Sequence, residues 1–320
     1  MLNKPRVIIV TGPTASGKTD FAEQLARTLP IEMINADVGQ FYTPLTVGTA
    51  KPDWQKLPFK SHLFDILNTP RDMSVADYRQ QVLAIVSDVT ARGNVPVIVG
   101  GSLFYLKALM FPPQVPVPVS VKPEVVDFSQ DTMHLWEMLQ TIDPERAAAL
   151  HPNDRYRIER ALMIWQETGS KPSQLVPLYD PPFHANWVFM QPALPVLEKR
   201  IYVRTEQMVC TGGWIEEART LLGTPWEAFV QQKGFIGYAE LIRLLRGAQT
   251  EREIEDVIAL IGLRTRQYAR RQLIFLKKFK TQLEEHRSLS TYQQEMTTIS
   301  DWSMDHVNGV VAMYKGRLGR

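Results

Sequence analysis

Cysteine is almost missing from this 320-residue chain. Cys210 stands alone, which excludes an intramolecular disulfide framework and a cysteine-built zinc site and suits a reducing, cytoplasmic compartment. No apolar run approaches the roughly 20 residues that cross a bilayer, so no membrane span is expected. The first strand pattern opens at Val7, so no secretory leader is expected. An excess of either charge is also missing. With 36 Lys and Arg against 34 Asp and Glu the net charge is +2, so a surface for a polyanion has to come from where the bases sit. No internal repeat is present, and 22% charged with 44% hydrophobic residues is the balance of a globular protein with ample core.

One local absence points somewhere. No acid occurs from Val257 through Leu283, while Arg264, Arg266, Arg270, Arg271, Lys277, Lys278 and Lys280 fall there, interleaved with Tyr268. A solvated helix normally mixes signs for pairing one turn apart, so a one-sign run suggests a polyanion partner, with a purely solubilising face as the alternative. A smaller basic cluster is Arg155, Arg157 and Arg160. Arg200 and Arg204 stack one helical turn apart, and their forks match phosphate oxygens.

What is present is organised around Val7-Ile8-Ile9-Val10-Thr11, an apolar strand running into Gly12-Pro13-Thr14-Ala15-Ser16-Gly17-Lys18-Thr19. The pattern G-x-x-x-x-G-K-[ST] is complete, and it sits between a buried-type strand and a helix with Phe21, Ala22, Leu25, Ala26 and Leu29 on one face. Gly12 and Gly17 are expected to let the backbone curl its N–H groups toward an anion at a helix N-terminus. Lys18 adds a point charge, and the Thr19 hydroxyl is the expected Mg²⁺ ligand.

Further strands and helices alternate up to about residue 110. Ile31 to Ile34 reads as a strand ending in Asn35-Ala36-Asp37, and 62–66 as another. A helix starts at Ser74 with Val75, Tyr78, Val82, Ile85, Val86 and Val89 on its apolar face, and Val95–Val99 is a strand ending in Gly100-Gly101-Ser102. The pattern predicts a parallel sheet flanked by helices, an α/β fold whose ligands bind beyond the carboxyl ends of the strands. The phosphate loop, Asp37 and Ser102 all fall at such ends. Residues 111–130 are rich in Pro and Val (Pro112, Pro113, Pro116, Pro118, Pro123) and read as the root of an insertion. Helical patterns resume at Leu135, and again after His151-Pro152, with Asn153 or Asp154 as N-cap. After a second Pro-rich break at 172–182, Trp187–Met190 reads as a strand returning to the sheet. The pattern is helical from Leu194 to about 286 and weak over 287–320.

An ATPase would close a strand with an acid that holds Mg²⁺ through water, yet Val95–Val99 ends without one. Small-metabolite kinases can dispense with it, so a kinase stays open. Asp37 can serve as a general base toward a nucleophile held near the phosphates, or be a simple turn aspartate. Ser102 can donate to a leaving-group oxygen or cap a helix.

These pieces resemble the tRNA dimethylallyltransferase family, also called tRNA isopentenyltransferases. The resemblance spans roughly residues 6–280. It rests on the complete phosphate loop, Ile34-Asn35-Ala36-Asp37, Gln40, Tyr42, Gly48-Thr49-Ala50-Lys51-Pro52, Ser74-Val75-Ala76-Asp77-Tyr78 and Val99-Gly100-Gly101-Ser102. His151-Pro152-Asn153-Asp154, Arg157-Ile158, Arg160-Ala161-Leu162, Ile236-Gly237-Tyr238 and Tyr268-Ala269-Arg270-Arg271-Gln272 follow in order.

The resemblance implies transfer of a dimethylallyl group from dimethylallyl diphosphate to N6 of the adenosine 3′ of the anticodon in tRNA. Pyrophosphate leaves, and Mg²⁺ assists. It implies a diphosphate site at Gly12, Thr14, Ala15, Ser16, Gly17, Lys18, Thr19, Arg200 and Arg204, with Asp37, Ser102, Lys18 and Thr19 catalytic. The tRNA contacts it implies are Asp37, Val38, Gly39, Gln40 and Ser102; Tyr156, Arg157, Ile158, Glu159 and Arg160; Gly234, Phe235, Ile236, Gly237, Tyr238 and Ala239; and Arg266, Arg270, Arg271 and Lys277. The implied organisation is a monomeric, cytoplasmic enzyme: a P-loop α/β core of 1–110 and about 185–286 with C-terminal helices, a small helical insertion at 111–184 that contacts tRNA, and a tail at 287–320. The chain departs from the family in having Asp37-Val38-Gly39-Gln40 where Asp-Ser-x-Gln is usual, Leu273-Ile274 where Thr-Trp usually follows Gln272, and a short 111–130 region. A transferase acting on free adenine nucleotides would share the loop and the aspartate.

Overall fold

The structure is a computed structural model that describes residues 5–114, 125–175, 177–289 and 291–316; the expected break at Pro116, Pro118 and Pro123 lies outside them. The chain divides into two compact units, Met1–Leu109 with Pro181–Arg320, and Met110–Asp180.

The larger unit begins with β1 (Arg6–Thr11), whose residues from Val7 on are all buried, as an apolar strand covered on both faces must be. The phosphate loop then gives way to α1 (Lys18–Ala26), which lays Phe21, Ala22 and Leu25 onto the sheet. Next come β2 (Ile31–Asn35), β3 (Ser61–His62), α2 (Val75–Ala91), β4 (Val95–Gly100) and α3 (Leu103–Met110). Ser74 caps α2, its hydroxyl accepting the Asp77 N–H at 3.0 Å. The strand expected over 62–66 shrinks to Ser61–His62, because Leu63 and Asp65 adopt left-handed φ of 62° and 53°, which no strand can carry.

In the smaller unit, α4 (Thr132–Ile142), α5 (Pro144–Ala148) and α6 (Arg155–Thr168) close over Leu135, Leu139, Ile158, Ala161 and Leu162. Asp154, not Asn153, caps α6 through the Arg157 N–H at 3.3 Å.

The larger unit resumes with β5 (His184–Met190), α7 (Leu194–Cys210), α8 (Trp214–Leu221), α9 (Pro225–Lys233), α10 (Tyr238–Leu245) and the 36-residue α11 (Glu251–His286). Residues 287–320, weakly patterned in sequence, carry β6 (Gln294–Ile299) and α12 (Met304–Lys315). The sheet order is β3-β2-β4-β1-β5-β6, and every neighbouring pair is parallel. Thr11, Asn35, Gly100 and Met190 therefore end on one edge. Among the described residues no helix is long and apolar enough to cross a membrane.

Candidate active site

The phosphate loop leaves β1 through Gly12, where any side chain would collide with the backbone of β5: a Cβ would lie 2.3 Å from the Met190 carbonyl oxygen. Close approach, rather than curl, demands glycine there. Curl is demanded at Gly17, whose φ is 84°. From Thr14 to Asp20 the loop and the first turn of α1 line a cavity of about 620 Å³, with Arg200, Arg204, Asp301 and Trp302 opposite. Lys18 Nζ donates to the carbonyls of Gly12 at 3.1 Å and Pro13 at 2.7 Å. Burial, opposed by the Asp37 carboxylate and aided by the Arg204 charge, pulls the Lys18 ammonium down to about 8. Arg204, itself lowered by burial, donates to the Thr14 hydroxyl at 2.5 Å.

Asp37 follows β2, its N–H held by the Asn35 side chain at 2.9 Å. Burial raises its carboxyl above the ordinary value, opposed by Lys18, the Gly39 N–H and Arg204. A carboxylate raised in this way takes up a proton more readily. Ser102 does not act as a side-chain cap. Its Oγ accepts the Val38 N–H at 3.0 Å and its N–H reaches the Ala36 carbonyl at 3.1 Å, tying the ends of β2 and β4 together.

A second cavity, of about 450 Å³, has Asp37, Val38, Gly39, Ser102, Trp214, Gly234, Phe235, Ile236, Tyr268 and Arg271 in its walls. The two cavities share Thr14, Asp37, Thr49, Ala50 and Arg204, so Asp37 stands at their junction. One cavity is rich in phosphate-type donors. The other is bordered by rings and glycine backbone, which leave room for a flat group.

Several of these wall positions rest on residues to which no role was attached in sequence. Gln272, buried on α11, accepts the Thr14 N–H at 2.9 Å and donates to the Gly101 carbonyl at 3.0 Å, joining the phosphate loop to the end of β4. The Glu217 carboxylate on α8 gathers the N–H groups of Thr46, Val47 and Gly48 at 2.8, 2.6 and 3.0 Å and the Tyr238 hydroxyl at 2.7 Å. That fixes the turn leading to Thr49 and Ala50, whose carbonyls take the Gln40 amide at 3.2 and 3.3 Å. Gln272 had a signal, its place in the Tyr268–Gln272 match; Glu217 had none.

The other expected contact residues are more widely spread. The Tyr238 ring is buried and its hydroxyl is bound to Glu217; Gly237, Tyr238 and Ala239 do not line the cavity that Gly234, Phe235 and Ile236 border. In the smaller unit Ile158 is a core residue and Glu159 pairs with Arg155 at 2.7 Å, whereas Tyr156, Arg157 and Arg160 are exposed. The one-sign run on α11 finds acids on neighbouring helices. Arg266 and Arg270 meet Glu198 of α7 at 3.8 and 3.1 Å, and Arg264 meets the buried Glu240 of α10. Arg271 faces the second cavity, and Lys277 is exposed.

No three His, Cys, Asp or Glu converge on a metal-sized site among the described residues. Besides Asp37 and Asp301, what the phosphate cavity offers a cation is the hydroxyl of Thr19 beside Asp20. That set fits a Mg²⁺ that keeps waters and takes most of its other ligands from a bound diphosphate.

A family model described as IPP transferase matches residues 40–279. The tRNA dimethylallyltransferase of Fervidobacterium nodosum is 35% identical over 280 residues, covering 86% of this chain and 89% of that one. The enzyme of the same name from Geobacter sulfurreducens is 32% identical over 284 residues, covering 86% and 90%. Among solved structures, a eukaryotic dimethylallyltransferase acting on tRNA superposes with a TM-score of 0.78 at 24% identity, over 98% of this chain and 80% of that one. The tRNA isopentenylpyrophosphate transferase of Bacillus halodurans gives 0.61 at 27% identity, over 99% and 96%.

Proposed function

Because the chain belongs to the IPP transferase family, together with tRNA dimethylallyltransferases more than 30% identical to it, we propose that its two joined cavities carry out prenyl transfer to tRNA. The phosphate cavity holds dimethylallyl diphosphate, and the second cavity admits the adenine 3′ of the anticodon, extruded from its stack. N6 attacks C1 of the dimethylallyl group, the C1–O bond breaks with its electron pair passing to pyrophosphate, and Asp37 accepts the N6 proton. The position of Asp37 at the junction of the cavities is the observation that carries this reading.

Charge accumulates on the leaving group as the bond breaks. Lys18, Arg204, Arg200 and the loop N–H groups are the donors on hand to meet it. Because the Ser102 Oγ accepts from Val38, its own proton is available for the bridging oxygen. Mg²⁺ at Thr19 would neutralise diphosphate charge when bound. The Gly234–Ile236 stretch, Arg271 and Lys277 supply the nucleic-acid contacts of the larger unit, and Tyr156, Arg157 and Arg160 those of the helical insertion.

The test is mass spectrometry of tRNA nucleosides after incubation with dimethylallyl diphosphate and Mg²⁺, with AMP offered in parallel. N6-dimethylallyladenosine in tRNA is expected. Product appearing in AMP alone would replace this reading with a free-nucleotide transferase.

A further inference from the structure

The segment between β6 and α12 lies beyond residues 40–279, the stretch matched by the family model, yet it reaches the phosphate cavity. The sheet brings it there. Ile299 pairs with Met190 at the end of β5, and its carbonyl accepts the Gln191 N–H at 2.8 Å, so the chain turns at the same edge on which the phosphate loop opens. Asp301 and Trp302 follow. Trp302 stands edge-on to Phe21 of α1, with ring centroids 5.7 Å apart and planes at 90°, and packs on the core beneath. Its indole nitrogen overhangs the loop: a Cβ on Gly17 would lie 3.0 Å from Trp302 Nε1. Among the described residues the indole N–H has no hydrogen-bond acceptor. Asp301 stands 3.8 Å from Arg200, whose guanidinium lines the same cavity.

We propose that Trp302 is a further diphosphate-binding residue, its indole N–H donating to a pyrophosphate oxygen at the Gly17 rim. This rests on the cavity being the dimethylallyl diphosphate site. The physical case is that the cavity already concentrates Lys18, Arg200 and Arg204, and burial already weakens the hold of Lys18 on its proton. A neutral donor adds a charge-assisted hydrogen bond without a further cation to desolvate. Contact with Phe21 fixes the ring before ligand arrives, so little freedom is lost on binding.

The test compares the wild-type chain with Trp302→Phe, which keeps the ring on Phe21 and removes the N–H. Binding of inorganic pyrophosphate with Mg²⁺ is measured calorimetrically, alongside steady-state prenyl transfer. The variant is expected to bind pyrophosphate about tenfold more weakly and to raise KM for dimethylallyl diphosphate by a similar factor, with KM for tRNA and the melting temperature unchanged. Quenching of tryptophan fluorescence by pyrophosphate should be lost with it. Pyrophosphate affinity within twofold of wild type would overturn the role of Trp302 and leave the reaction standing. A wild-type chain that binds pyrophosphate in a Trp302-dependent way but prenylates nothing would uphold Trp302 and overturn the reading of the reaction.

Discussion

The two edges of the sheet bury charge in opposite ways. At the amino-terminal edge Glu32, 2% exposed, has every lone pair engaged. Arg92 grips it through Nε at 2.9 Å and Nη2 at 2.7 Å, Asn94 donates at 2.8 Å, and His62 pairs with it at 2.7 Å. The Arg92 hydrogen bonds come first among the causes that hold its carboxyl at about 2. At the carboxyl-terminal edge, Asp37, Lys18 and Arg204 are shifted the other way, each toward its neutral form and each chiefly by burial. The first arrangement stabilises the fold. The second holds Lys18 and Arg204 by neutral oxygens and gives none of the three an ion pair among the described residues, which is the condition under which a bound anion and a transferred proton improve matters.

Removing the proposed base should separate the two edges most sharply. Asp37→Ala is expected to lower kcat about a thousandfold, while pyrophosphate affinity, read by calorimetry, stays close to wild type. A carboxyl raised on folding costs stability above its folded pKa, so the variant should melt no lower than wild type. A kcat near wild type would remove Asp37 as the base.

Lys18 comes next. With burial holding the Lys18 ammonium at about 8, kcat/KM for dimethylallyl diphosphate should fall tenfold per pH unit above about 8, as the ammonium proposed to meet the diphosphate is lost. Lys18→Met should lower kcat/KM about a hundredfold at pH 7 and abolish that alkaline limb in a pH–rate profile from 6 to 10. A limb that persists in the variant belongs to another group.

How much of this was open to reading in the sequence depends on range. The phosphate loop, the strand leading to Asp37 and the cap at Ser74 are local patterns, and they fold as local rules require. The parallel fold followed from strands alternating with helices. Contacts made by distant segments could not be read. Gln272 meets Thr14 across 258 positions of chain, and Glu217 fills its nest from 170 away, so neither pairing leaves a spacing to recognise. The acids that face the one-sign run on α11 were hidden for the same reason, since Glu198 and Glu240 come from other helices. β6 was missed because Gln-Glu-Met-Thr-Thr-Ile is a half-polar edge strand with little apolar periodicity of its own.

The smallest effect, and the one that tests the amino-terminal edge, is expected at Glu32. Its folded carboxyl lies near 2 against an ordinary 4.5, so the fold binds the ionised form more favourably than the unfolded chain does. Stability from this group is therefore fully present above about pH 4.5 and is lost as pH falls toward 2. The full difference corresponds to about 3 kcal/mol, and because the Arg92 side chain is 42% exposed and screened by solvent, about 2 kcal/mol is the better expectation. Urea unfolding of Glu32→Gln should show that loss at pH 7, a narrowing gap to wild type at pH 4, and a smaller one still at pH 3, with prenyl transfer at pH 7 unchanged in the folded fraction. A gap that stays constant from pH 7 to 3 would mean that packing, not charge, holds this edge, and the contrast with Asp37 would then lie in shape rather than in electrostatics.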